Sequence, residues 1–175
     1  TLTIPKGPGS FPAVLLLTGS GPQNRDEEIF NHRPFLVIAD HLTRLGLVVL
    51  RVDDRGVGGS EGSLATAGMV GLAEDAKACL AFLRRRKEID PKRIAITGHS
   101  LGGAIAPMVA AQDPEVAALV LLAGQGLPSD ETLYSQNRLL LSQMGVPEKL
   151  IESKIALLRE LFALVRSSPD LKTAR

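Results

Sequence analysis

The sequence predicts an α/β chain in three layers, with a mostly parallel sheet between two helical layers, and three observations predict it. Short, continuous apolar runs recur at 13–17, 47–52, 93–97 and 117–122. Stretches of helical spacing at 34–45, 67–87 and 101–111 separate them. Each junction carries glycine or proline. Unbroken apolar runs, as opposed to alternating ones, mark strands buried on both faces. Strands alternating with helices at this spacing place the strands parallel and the helices on both sides, joined by right-handed crossovers.

The elements follow in order. A short antiparallel piece is expected near Leu2 to Ile4. The run Ala13-Val14-Leu15-Leu16-Leu17 follows Pro12 and ends at Gly19-Ser20-Gly21-Pro22, which reads as the first parallel strand and its turn. After the helix over 34–45, Gly46 acts as a stop, and Leu47-Val48-Val49-Leu50-Arg51-Val52 forms the second strand. The loop Asp53-Asp54-Arg55-Gly56-Val57-Gly58-Gly59-Ser60 comes next. In it, Asp54 and Arg55 are read as braces between neighbouring loops at the sheet edge. The helix over 67–87 ends in Arg84-Arg85-Arg86-Lys87, where cations favour the negative end of the helix dipole, so these basic residues are read as a solvated helix end and not as a phosphate site. Strands at 93–97 and 117–122 flank the helix over 101–111. Beyond Gly124 the pattern changes: two leucine-rich helices, broken at Gly145-Val146-Pro147, occupy the remainder. In Pro128-Ser129-Asp130-Glu131, Asp130 reads as part of a helix start. The expected organisation is a core over 1–128 and a helical segment over 129–175.

Composition narrows the function. The chain has 175 residues, 45% of them hydrophobic, enough for one compact core. Twenty Lys and Arg balance nineteen Asp and Glu, so nothing draws it broadly to nucleic acid or an acidic membrane. A small-molecule substrate is the default partner. The single cysteine, Cys79, excludes a disulfide framework or cysteine-rich metal site and fits a cytosolic location, which the absent initiator Met leaves open. No apolar run has the length of a membrane span. His32, His41 and His99 show no metal-ligand spacing with carboxylates, and no metal or cofactor is implied. Nucleotide binding fails on detail: the turn after the first strand lacks the last glycine of a dinucleotide fingerprint, and no Gly-Lys-Ser/Thr loop occurs.

The chemistry gathers at Gly98-His99-Ser100-Leu101-Gly102. This Gly-x-Ser-x-Gly follows a buried strand and opens a helix, the setting in which a serine sits on a strained turn and exposes its hydroxyl at the carboxyl edge of a sheet. Ser100 is the expected nucleophile. Leu101 N–H, at the positive end of the following helix, is the expected first donor to an oxyanion. The second is expected from Thr18-Gly19-Ser20-Gly21-Pro22: Ser20 N–H, with Gly21 in reserve.

These two segments, with Asp54-Arg55-Gly56-Val57-Gly58-Gly59-Ser60, resemble the α/β-hydrolase superfamily, and among its members bacterial esterases and serine aminopeptidase-like hydrolases. The usual His-Gly before the oxyanion loop is here Thr18-Gly19. The resemblance covers about residues 1–128, and 129–165 resemble the start of the helical cap that such enzymes insert after the sixth sheet strand. It implies cleavage of a carboxylic ester or amide through an acyl-serine intermediate, with an acid and then a histidine following the serine along the chain. No histidine follows Ser100. His99 is expected to diverge from the serine and pack, His41 lies mid-helix, and His32 lies in a loop near the site. The chain is therefore expected to match the N-terminal part of such an enzyme, to lack the catalytic acid and histidine, and to be inactive by itself. The alternative is an α/β-hydrolase-fold binding or scaffold protein without a working triad. The strand at 117–122 is expected to be left as an apolar sheet edge through which the chain self-associates.

Overall fold

The computed structural model describes residues 1–168. In chain order the elements of its first unit, Thr1–Gly124, are β1 (Leu2–Thr3), β2 (Phe11–Leu17), α1 (Pro34–Arg44), β3 (Val48–Arg51), α2 (Gly68–Arg84), β4 (Ile89–His99), α3 (Leu101–Ala110) and β5 (Val116–Leu122). A single 3-10 turn, Leu64–Thr66, precedes α2. The sheet order is β1-β3-β2-β4-β5, with β1 antiparallel and the other four parallel. This is the α/β, mostly parallel architecture that the alternation of apolar runs predicts.

The unbroken apolar runs have a direct cause. Successive residues of a strand face opposite sides of the sheet, and in β2 both sides are covered. Ala13 and Leu15 pack with Leu80 and Leu83 of α2 and with Ile105 and Val109 of α3. Val14 and Leu16 pack with Phe35 and Ala39 of α1. Phe35 is fully buried, and its truncation to Ala would cost about 3–5 kcal/mol.

Element ends depart from expectation where polar residues obscure the pattern. β4 begins at Ile89, four residues early, because Ile89 pairs with Phe11 across the polar Asp90-Pro91-Lys92. α2 ends at Arg84 instead of Lys87. Arg84 itself leaves the solvent to form a two-pronged pair with Asp113 at 2.8 and 2.9 Å. At the other edge, Leu119, Val120 and Leu121 of β5 are exposed.

The second unit begins at Gln125 and holds α4 (Ser129–Gln143) and α5 (Glu148–Ser167). Its core is Tyr134, Ile151 and Ile155, with the Phe162 ring edge-on to Tyr134 at 5.9 Å. Asp130 lies in the first turn of α4 and pairs with Arg166. Among the described residues, no helix is long and apolar enough to cross a membrane.

Candidate active site

β4 ends at His99 and α3 begins at Leu101, so Ser100 alone makes the turn from strand to helix. It does so at φ 50°, ψ −109°, a backbone state that side-chain-bearing residues avoid and that costs about 1–3 kcal/mol. The neighbouring glycines let the turn close. A Cβ at Gly98 would overlap the Gly102 carbonyl, and one at Gly102 would overlap the Leu17 and Thr18 carbonyls.

The backbone donors around Ser100 can be counted. Its own N–H goes to Leu122 O at 2.9 Å, Gly102 N–H goes to Thr18 O at 3.0 Å, and Gly103 N–H to Ser100 O at 3.0 Å. Leu101 N–H, in the first turn of α3, has no acceptor among the described residues. First-turn amides lack intrahelical partners and carry the positive end of the helix dipole, so this N–H is free for a developing negative charge.

The loop after β2 lies against this elbow, as the Gly102–Thr18 bond shows. A Cβ at Gly19 would sit 3.1 Å from both Glu27 Oε1 and His99 Nδ1 and 3.4 Å from Ser100 Cβ, so any larger residue there would push the two polar side chains aside by a few tenths of an ångström. Asp54 holds both ends of the loop, accepting the Thr18 hydroxyl at 2.7 Å and Gln23 N–H at 2.9 Å. Burial pushes the Asp54 carboxyl above its ordinary range, against those two hydrogen bonds. Gly19 N–H donates to Glu27 Oε1 at 2.6 Å. Ser20 N–H has no protein acceptor among the described residues. Ser100, Leu101 and Ser20 thus come to one edge of the sheet.

A second ring of polar contacts supports the loop. Asp53 accepts Arg25 N–H at 2.8 Å, Arg25 Nε at 3.0 Å and Gly59 N–H at 3.1 Å, and the Arg25 guanidinium holds its carboxyl well below the usual carboxylate range. Arg51, buried in β3, pairs with Asp26. Arg55 pairs with Asp75 of α2, so its brace runs to a helix.

Beside the loop after β2 lies a cavity of about 580 Å³, within the size range of small-molecule sites. Its walls include Leu17, Val52, Met69, Leu72, Cys79 and Ile105. Gly19, Gly21, Leu101 and Gly102 border it on the elbow side. Burial pushes the Cys79 thiol up to about 11.

Among the described residues, no base reaches the serine. Ser100 Oγ makes no hydrogen bond among the described residues. His32 and His41 are both exposed, in the loop and on α1. His99 turns away from the serine, as expected, but to a polar partner instead of packing: its Nδ1 lies 2.7 Å from Glu27 Oε1. Glu27 is the site residue that sequence reasoning missed. It is one of four charged residues in Arg25-Asp26-Glu27-Glu28, and only burial distinguishes it.

A family model described as serine aminopeptidase, S33, matches residues 33–157. The chain belongs to this family of α/β-hydrolases. It is 33% identical over 152 residues to esterase EstD of Thermotoga maritima, covering 87% of this chain and 36% of that protein. The chain spans about a third of the length of the first curated relatives it matches. Among solved structures, the α/β-hydrolase GrgF from Penicillium has a TM-score of 0.61 at 24% identity, covering 82% of this chain and 47% of that one, which shows the fold. An α/β serine hydrolase homologue from Coxiella burnetii has a TM-score of 0.54 at 28% identity, covering 70% and 55%. The α/β-hydrolase fold of this family member follows from these matches.

Proposed function

We propose that the chain carries the nucleophile half of a serine hydrolase active site, one that cleaves a carboxylic ester or amide through an acyl-serine intermediate. The observation that carries this reading is Ser100 at φ 50°, ψ −109° between β4 and α3, with two N–H groups on the same sheet edge, Leu101 and Ser20, that have no acceptor among the described residues. Attack by Oγ on the carbonyl carbon moves the carbonyl electrons onto oxygen, and those two donors take up the negative charge. Each donor of this kind contributes about 3 kcal/mol to the transition state. The apolar cavity beside Gly19 and Leu101 holds the apolar part of the substrate. An ester is the first substrate class to test, because the similar EstD protein is named an esterase.

A serine hydroxyl becomes an effective nucleophile when a histidine accepts its proton. None of His32, His41 and His99 bonds to Ser100. We therefore assign the base and its orienting acid to polypeptide other than these 175 residues.

Two measurements test the proposal. The 175-residue chain should not turn over a short-chain aryl ester; turnover abolished by Ser100→Ala would refute the assignment of the base. In the native protein a fluorophosphonate probe should label Ser100. Failure to label it there would favour a binding or scaffold role for the fold.

A further inference from the structure

We propose that Glu27 is a positioning residue of this site, holding the oxyanion loop on the nucleophile elbow through a single carboxylate oxygen. The proposal rests on the serine hydrolase reading for its kinetic consequence, and on geometry for the rest. Glu27 Oε1 accepts Gly19 N–H at 2.6 Å and lies 2.7 Å from His99 Nδ1. One oxygen thus joins the residue before Ser20 to the residue before Ser100. With the Glu27 oxygen as acceptor, the His99 tautomer that completes this contact is the one with its proton on Nδ1.

Glu27 is 5% exposed, and its backbone has φ 51°. A buried carboxylate and a left-handed backbone are both unfavourable, and surrounding contacts hold them in place. Glu27 N–H goes to Asn24 O at 2.9 Å, closing a turn. Immediately before it, Arg25 pairs with Asp53 and Asp26 with Arg51. The three consecutive side chains grip three different points at the carboxyl edge of the sheet: the loop after β3, β3 itself and the end of β4.

The consequence is a choice of donor. With Gly19 N–H bound to Glu27, Ser20 N–H is the next amide left to face a reacting oxygen beside Leu101 N–H. Without Glu27, Gly19 N–H is released and the glycine-rich turn can rotate, so the second donor is lost from its place. A negative charge beside a developing oxyanion brings no benefit, so the benefit of Glu27 lies in the position of Oε1. Glutamine, with its carbonyl oxygen in that place, can accept both bonds. Aspartate is one methylene too short, and alanine has no acceptor.

The test compares the native protein, in which the base for the serine is supplied, with its Glu27→Gln, Glu27→Asp and Glu27→Ala variants on a short-chain aryl ester. Glu27→Asp and Glu27→Ala should lose about 100-fold in kcat, the order expected for one oxyanion donor, with KM nearly unchanged. Glu27→Gln should stay within about tenfold of wild type on the same scale. Wild-type kcat in Glu27→Asp, or a loss in Glu27→Gln as large as in Glu27→Ala, would overturn the proposal. A second measurement needs neither turnover nor the alanine variant: the Gly19 amide proton in the ¹⁵N-labelled protein. It should be downfield and slow to exchange in wild type and Glu27→Gln, and should move upfield and exchange faster in Glu27→Asp. A Gly19 amide that is the same in all three refutes the positioning role even if the ester is cleaved. The expected pattern without any Ser100-dependent turnover would retain that role and refute the hydrolase reading.

Discussion

Replacing Ser100 by glycine should remove the nucleophile and stabilise the protein. Ser100 sits at φ 50°, ψ −109°, where a Cβ costs about 1–3 kcal/mol. Glycine enters this region freely, but its unfolded chain has more freedom, which offsets about 0.5–1 kcal/mol. The difference leaves a net gain of about 0.5–2 kcal/mol. Nothing else is lost with the side chain, since Oγ makes no hydrogen bond among the described residues, and the bond from residue 100 N–H to Leu122 O is retained. The control is Ser100→Ala, which also removes the nucleophile and keeps the Cβ. In urea unfolding, with a slope of about 2 kcal/mol per molar, the glycine variant should unfold about 0.3–1 M later than the alanine variant. If the two unfold together, or the alanine variant is the more stable, the elbow is not strained and the reasoning fails.

Three further outcomes are expected. With its thiol pushed up to about 11, Cys79 should react with an aromatic disulfide at pH 8 about 100-fold more slowly than in the urea-unfolded chain, whose thiol titrates near 8.5; equal rates would show that the cavity wall is open. Asp53→Asn should lower stability at pH 7 by about 1–3 kcal/mol through weakened bonds to Arg25 and Gly59. Because the folded-state carboxyl of Asp53 is depressed, its contribution is complete above the unfolded value of about 4 and is lost as pH falls through the lower folded value. The gap between variant and wild type should therefore stay constant from pH 7 to about 4 and narrow below that; a gap unchanged down to pH 2 would contradict the pairing. Finally, the exposed apolar residues of β5 should make the 175-residue chain associate through that edge, and Val120→Lys should shift it toward monomer in light scattering. A wild-type monomer at all concentrations would argue against this.

Much of the fold was legible in the sequence because it is written in local patterns. Strand β2 is an unbroken apolar run since both its faces are covered, and the residues that cover them lie in helices with their own visible spacing. The elbow was legible for the same reason: Gly98, Ser100 and Gly102 fall within five residues, between an apolar strand and a helix, and the steric demands of the turn select them. Leu101 N–H was expected from that local geometry, and Ser20 N–H, with Gly21 in reserve, from the glycine-rich turn after the first strand.

Glu27 was not legible, because nothing local separates it from Asp26 or Glu28. Its partner His99 lies 72 residues away, and Arg25 and Asp26 find theirs 28 and 25 residues away. Charged loop residues read as surface until packing shows which one is buried. Likewise, His99 looked like a packing residue, and its donation to Glu27 depends on a loop from elsewhere in the chain. The sequence by itself determined which residues lie in strands and helices and which serine sits at the elbow. Only the tertiary structure decided which carboxylates hold the loop after β2 in place, because those bonds join segments whose proximity no local pattern encodes.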